Sequence, residues 1–217
     1  RRFKLIPMNY NVISGNESVP VRNIYCIGRN YKAHAAELNN DVPENPVIFQ
    51  KSIPALNTSN EIVLPHNREI QHELEIVILI GNDGEKISKN EAAAYIHGYG
   101  LGLDLTDRKF QSELKQNKLP WLLAKSFKGS AVVSSFVPNE IGEEFWLKVN
   151  GDVRQNGNIA DMIFSIPEQI SYLSRMIPLM KGDLIFTGTP MGVGEIHSGD
   201  DLNLGIGGKT VFSLKVK

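Results

Sequence analysis

Cysteine is nearly absent from this chain: its 217 residues include one, Cys26. A single thiol excludes an intrachain disulfide framework and any multi-cysteine metal site. Long hydrophobic runs are missing too. No stretch approaches the roughly 18 uninterrupted apolar residues of a membrane span, and the opening RRFKLIPMNYN carries no apolar signal-peptide core. Charge of one sign is also lacking. Lys and Arg number 23 against 24 Asp and Glu, a formal net charge of -1. No global basic field is therefore present to recruit nucleic acid or anionic lipid. Internal repeats, low-complexity tracts and linker-like blocks are absent. The expectation is a soluble domain of a reducing compartment, with no nucleic-acid and no membrane partner.

The composition that remains is that of an ordinary globular chain, 41% hydrophobic and 22% charged. Its length suits one sizeable domain. Strand signals dominate. Ile24 to Ile27 is a short apolar run ended by Gly28. Ile76 to Ile80 is β-branched, apolar on both pleat faces, and ended by Gly81. Phe145 to Val149 runs into Asn150-Gly151, a hairpin signal, with Val153 to Gln155 as the return. Leu184 to Thr187 and Thr210 to Val216 read as further strands. Helices are predicted over Tyr31 to Leu38, over Ser88 to Tyr95 with a Ser88/Glu91 capping box, and over Asp107 to Gln116. A fourth, Ser165 to Met176, has Pro167 in its first turn and Ile166, Ile170, Leu173 and Ile177 on one face. Strands and helices do not alternate regularly. The predicted class is α+β and β-rich, not a doubly wound sheet.

Three local patterns carry chemistry. In Gln71-His72-Glu73-Leu74-Glu75, a strand would put Glu73 and Glu75 on one face, about 7 Å apart at Cα. Val77 and Leu79 continue that face, and Leu74, Ile76 and Ile78 fill the other. Two unpaired buried carboxylates are costly, so the pair needs cations, a shared proton or a metal ion. The plain alternative is a solvated strand end neutralised by Lys or Arg. The spacing is not HExxH and cannot make a helical zinc site. Asp104 lies in the glycine-rich apolar run Gly98 to Leu105, where a lone charge is again expensive. Beside Glu73 and Glu75 it would complete an all-oxygen site of the kind that suits Mg²⁺ or Mn²⁺; otherwise it caps or turns the chain. His34 and Glu37 share a helical face at i,i+3, so Glu37 could orient the imidazole as a general base, or the two form a plain surface pair.

Weaker signals surround these. Lys125 sits in the apolar stretch Pro120 to Phe127, where a buried lysine needs an anionic partner. Gly188 to Gly194 lacks both the Gly-Lys-Ser/Thr ending and the GxGxxG spacing of nucleotide loops. It reads instead as a tight turn offering Thr189 and backbone N–H groups to an anion. Cys26 reads as a small core residue, and His66, His97 and His197 as structural or solvated.

Taken in chain order, CIGRNYKAH (26–34), PVIFQKS (46–52), HELEIVILIG (72–81), GYGLGLDLTDR (98–108), LPWLLAKSF (119–127), VNGDVRQ (149–155) and KGDLIFTGTPMGVG (181–194) resemble the fumarylacetoacetate hydrolase family. GRNYxxHxxE together with LPWxLAKSF looks most like its small acylpyruvase and oxaloacetate decarboxylase branch. The resemblance implies a mixed β-sandwich or roll with a few short helices over residues 24–217, with residues 1–23 as an N-terminal segment packed on it. It implies a homodimer with one Mg²⁺ or Mn²⁺ per chain on Glu73, Glu75 and Asp104. His34, Glu37, Lys125 and Gln111 match the catalytic positions, His34 and Glu37 on a short lid helix. Arg29, Lys51, Arg108 and Thr189 match positions that contact or support the ligand. Asp107, Lys109 and Ser130-Ala131-Val132-Val133 depart from the pattern and leave substrate choice open.

The activity this implies is metal-dependent hydrolysis of the C–C bond of acylpyruvates or related 2-oxo and diketo acids through a metal-stabilised pyruvate enolate. Oxaloacetate decarboxylation or tautomerisation would share that enolate. The alternatives are an isomerase or decarboxylase of dienoate diacids from aromatic catabolism, and a non-catalytic scaffold that binds 2-oxo acids. The implied compartment is the cytoplasm, or the mitochondrial matrix for a eukaryotic source.

Overall fold

The computed structural model describes residues 10–37, 41–138 and 141–217. A seven-stranded sheet forms its centre, in the spatial order Val47–Lys51, Ile24–Gly28, Leu184–Phe186, Leu74–Ile80, Ile96–Asp104, Ala131–Val133 and Leu56–Asn57. A five-stranded sheet packs on one face, in the order Asp152–Asn158, Glu144–Val149, Asp201–Ile206, Lys209–Val216 and Glu61–Ile62. Leu74, Ile76, Ile78, Leu101 and Leu103 meet Phe145, Leu147, Leu202 and Leu204 in the core between the sheets. The opposite face is covered too: Val77, Leu79, Ile24, Cys26 and Phe186 cluster with Val12, Val19, Ala131 and Phe136. Burial on both faces explains why Leu74–Ile80 is apolar at every pleat position.

The β-rich expectation holds. Asn150 and Gly151 turn the Glu144–Val149/Asp152–Asn158 hairpin with φ of +53° and +90°, the pair of left-handed residues that a two-residue turn of this hand requires. Leu74–Ile80 pairs antiparallel with Ile96–Asp104, placing Glu75 opposite Gly102. A Cβ on Gly102 would come within 2.7 Å of both the Val132 carbonyl and Val77 Cγ2. The glycine row of this strand therefore lets three strands close up beneath the acidic residues.

The helices follow the prediction unevenly. Arg108–Gln116 is capped by Asp107, whose side chain accepts from the Phe110 N–H. Ile166–Met176 carries a true capping box of Ser165 and Glu168. Lys32–Glu37 occupies most of the predicted Tyr31 to Leu38 helix, and Leu38 lies outside the described residues. Two expectations are corrected. Ser88 to Tyr95 is not an α-helix: Ser88 Oγ does donate to Glu91, but only Ala92–Tyr95 coils, as a 3₁₀ turn, before the chain must extend into the strand at Ile96. Ile177 does not extend the buried face of the fourth helix. It caps that helix in extended conformation and is 39% exposed.

The seven-stranded sheet curls. Lys51, on its first strand in spatial order, reaches the Asp104 carboxylate on its fifth. That curl creates the site.

Candidate active site and metal centre

Glu73 lies in the break between strands Ile70–His72 and Leu74–Ile80, and the Asp104 N–H donates to its carbonyl at 2.8 Å. Asp104 ends its strand, so Glu73, Glu75 and Asp104 converge from two paired strands. All three are buried, and one carboxylate oxygen from each lies within 4.8 Å of the others. The solvated strand-end alternative is thereby ruled out. Its expectation of cation pairing holds for Glu73 and fails for Glu75, and Asp104 is paired with two lysines. Lys125 Nζ donates to Glu73 Oε2 and Asp104 Oδ2, each at 2.7 Å. Arg108 Nη2 pairs with Glu73 Oε1. Lys51 Nζ lies 2.7 Å from Asp104 Oδ1.

These neighbours set the proton affinities. Burial raises the carboxyl of Glu73, but Lys125 and Arg108 outweigh it and hold Glu73 well below the carboxylate range. Burial lowers the Lys125 ammonium, yet Asp104 and Glu73 carry it above the usual lysine value. Glu75 goes the other way. Burial, then the charges of Asp104 and Glu73, push it well above its ordinary value. It makes no ion pair among the described residues and accepts one hydrogen bond from the Gly188 N–H at 2.7 Å.

Two observations fit this set to a hard cation. Asp104 Oδ1 is buried beside Lys51 but accepts no aligned hydrogen bond. Glu75 is held among like charges with no counter-charge of its own. Both defects are relieved by a divalent ion on three carboxylate oxygens. The ion must displace the Glu75 proton. Affinity for Mg²⁺ or Mn²⁺ is therefore expected to rise as pH increases above the ordinary 4.5 of a glutamate and to level off once Glu75 is ionised. Calorimetry across pH, in buffers of different ionisation enthalpy, measures the released proton; a pH-independent affinity would contradict this assignment.

His34 is 5% exposed, on the helix Lys32–Glu37. Its Nδ1 lies 3.1 Å from Glu37 Oε2, and Glu37 Oε1 accepts from the Gly192 N–H at 3.0 Å. Glu37 thus bridges the short helix to a loop 155 residues away. The Gly188 to Gly194 loop does offer backbone N–H groups to anions, but these are Glu75 and Glu37 of the same chain. Thr189 Oγ1 accepts from Gln155 Nε2 at 2.8 Å.

A narrow cavity of about 30 Å³, open to solvent on one side, lies over the carboxylates. Arg29, His34, Arg108, Gln111, Lys125 and Thr189 line it together with the three acids. Two sequence-predicted residues do not reach its wall. Lys51 is wholly buried behind Asp104, bonded to Leu105 O, Ser130 Oγ and Lys125 O. Glu37 stands behind His34. Of the departures, Ser130 bonds the Lys125 carbonyl at 2.9 Å, Asp107 is a helix cap, and Lys109 is exposed.

Several residues were not singled out in the sequence. Gln155 Oε1 accepts from the Leu74 N–H and meets His72 Nδ1, while its amide nitrogen holds Thr189 and the Pro190 carbonyl. It ties the strand after Glu73 to the loop. Asn30 holds the carbonyls of Thr187 and Phe164 and accepts from the Phe164 N–H. Phe49, Lys115 and Trp121 complete the cavity wall. The signal for Gln155 was a polar residue alternating onto the inward face of a strand; Lys115 gave none.

A family model for the fumarylacetoacetate (FAA) hydrolase C-terminal domain matches residues 23–217. The chain belongs to this family. As an FAA hydrolase-family member it is 46% identical over 203 residues to the mitochondrial oxaloacetate tautomerase FAHD1 of Mus musculus, covering 90% of this chain and 92% of that one. It is 39% identical over 195 residues to a mitochondrial oxaloacetate decarboxylase of Dictyostelium discoideum, covering 86% and 89%. Fumarylpyruvate hydrolase from Pseudomonas aeruginosa, solved with Mn²⁺ and pyruvate, superposes with a TM-score of 0.92 at 33% identity, over 100% of this chain and 99% of that one. These relatives are enzymes, and the FAA hydrolase fold inferred from the motifs is the fold observed. No described helix is long and apolar enough to cross a membrane.

Proposed function

We propose that this chain is a divalent-metal-dependent enzyme of small 2-oxo acids. It cleaves the C–C bond of acylpyruvates and enolises or decarboxylates oxaloacetate. The observation that carries this reading is the convergence of Glu73, Glu75 and Asp104 with His34 and Lys125 on one cavity. Glu73, Glu75 and Asp104 would hold Mg²⁺ or Mn²⁺. Such an ion, when bound, supplies Lewis-acid polarisation of the substrate's keto and carboxylate oxygens.

The chain's own groups supply the rest. Glu37 on Nδ1 fixes the His34 tautomer and leaves Nε2 to take a proton. For an acylpyruvate that proton comes from water, whose oxygen adds to the distal carbonyl. The C3–C4 bond then breaks, its electron pair passing to the pyruvate enolate, and the acyl half leaves as a carboxylic acid. For oxaloacetate the enolate arises by loss of the C3 proton or of CO₂. Lys125, a buried cation in contact with the acids, offsets the negative charge that develops on the enolate oxygen. Arg108 Nη1 donates to Gln111 Oε1 at 2.7 Å and sets the orientation of that amide in the cavity. The compartment that goes with this reading is the cytoplasm, or the mitochondrial matrix for a eukaryotic source.

The test is a panel of acetylpyruvate, oxaloacetate and a ring-fission dienoate with Mg²⁺ or Mn²⁺. Decay of all three at the uncatalysed rate would sink the enzymatic reading in favour of a binding scaffold. Within the panel, His34→Ala is expected to slow acylpyruvate hydrolysis by about 10²–10⁴-fold and oxaloacetate enolisation by less, since only hydrolysis needs an activated water. Equal losses would assign His34 to a step common to both reactions.

A further inference from the structure

The cavity contains more positive charge than the carboxylates consume. Lys125 pairs with Glu73 and Asp104, Arg108 with Glu73, and Lys51 with Asp104, so three cations stand against the three acids and Glu75 pairs with none of them. Arg29 and Lys115 also line the cavity, and neither joins an ion pair among the described residues. A divalent ion at the carboxylates adds to that surplus. A substrate with one carboxylate leaves most of it uncompensated.

Both surplus cations are held in place. Lys115 stands in the last turn of the helix Arg108–Gln116, where the helix end favours a cation. A lysine serving only that role extends into water. Here the ammonium lies 5.1 Å from the centroid of the Trp121 ring, itself packed edge-on against Phe49 in the cavity wall. Burial, with Arg108, Arg29 and Lys125 nearby, lowers the pKa of Lys115, and the opposing pull of Glu73 is the smaller. Arg29 has a φ of +58°, an uncommon left-handed conformation for a non-glycine residue. Its neighbour Asn30 over-determines that conformation through its bonds to Phe164 and Thr187.

We propose that Arg29 and Lys115 form an anion subsite for a second carboxylate, so that the cavity selects dicarboxylic 2-oxo acids over those with a neutral acyl end. This rests on the 2-oxo acid reading of the same site and adds its substrate class. A short C4 dicarboxylate such as oxaloacetate offsets the surplus charge, whereas acetylpyruvate places a methyl ketone against it. The cost of rejecting the neutral end comes from leaving desolvated cations unpaired.

Lys115→Met keeps the apolar stem on Trp121 and removes the charge. With Mg²⁺ present, the ratio of kcat/KM for oxaloacetate to that for acetylpyruvate is expected to fall at least tenfold, through KM for oxaloacetate. Lys115→Arg is expected to keep the ratio within threefold. A second arm needs no turnover. Calorimetric titration with 2-oxoglutarate and 2-oxobutyrate compares a dicarboxylate with a monocarboxylate. The wild-type protein is expected to prefer the dicarboxylate, and Lys115→Met to lose at least tenfold of that preference. No dicarboxylate preference in the wild-type protein, or an unchanged ratio in Lys115→Met, overturns the subsite. Absence of turnover with a preserved binding preference would instead defeat the enzymatic reading and leave the subsite standing.

Discussion

Glu75→Gln is expected to abolish metal-dependent turnover while leaving the metal-free fold at least as stable as before. Removing an oxygen ligand should cost more than the roughly 10–100-fold lost with an outer partner of a metal site. The effect on stability runs the other way. Glu75 is buried beside Asp104 and Glu73, and its proton affinity is raised in the folded state. A carboxyl of this kind binds more protons folded than unfolded, so its contribution to stability declines as pH rises above the ordinary 4.5 toward the folded value. Glutamine is neutral throughout and still offers an oxygen to the Gly188 N–H. Thermal melts of the metal-free variant at neutral pH should therefore match or exceed the wild type. The rise in Tm that Mg²⁺ gives the wild type should vanish. Retained turnover, or a metal-free Tm several degrees lower, would show that Glu75 is a structural group rather than a ligand.

Asp104→Ala is expected to behave differently from Glu75→Gln although both remove a carboxylate from the same triad. The motifs alone suggest that either Glu73→Ala or Asp104→Ala leaves a folded, inactive protein. The tertiary contacts divide these cases. Asp104 lies between two buried lysines, 2.7 Å from each ammonium. Lys125 retains Glu73 when Asp104 is removed, but Lys51 has no other carboxylate in contact among the described residues. An uncompensated buried ammonium costs about 3–5 kcal/mol, a large share of the stability of an ordinary domain. Urea unfolding of Asp104→Ala should show that loss. Lys51→Met combined with Asp104→Leu should recover much of it, because a buried pair replaced by apolar groups of similar size is often near neutral. A wild-type unfolding midpoint in Asp104→Ala would mean that the pair is immaterial to the fold.

The contrast between these two variants shows where the sequence is readable. Glu73 and Glu75 could be placed on one face because a strand alternates with period two, and the apolar residues after them made that strand buried. Asp104 could be joined to them only through the family motif. Lys51 could not be placed behind Asp104, since their contact depends on the sheet curling until strands far apart in its order meet. Nor could the Glu37–Gly192 bond be foreseen, a hydrogen bond across 155 residues. The misread helix at Ser88 had a plausible cap, but the cap was outweighed by the demand that the chain extend at Ile96. Lys115 escaped notice because a lysine in a charged helix has the pattern of a solvated one.

Sequence by itself determined the β-rich class, the strand with two-faced burial, the hairpin at Asn150-Gly151 and the shared face of Glu73 and Glu75, because each depends on periodicity or on residue type within a few neighbours. The lone cysteine excluded a thiolate metal site, which left the carboxylates as the donors. Only the tertiary structure decided which acid has its proton affinity raised, which lysine supports and which lines the cavity, and which cations are left over for a ligand. Those outcomes depend on distance and burial between residues far apart in the chain, and electrostatic energies in a low-dielectric interior change with every ångström of both.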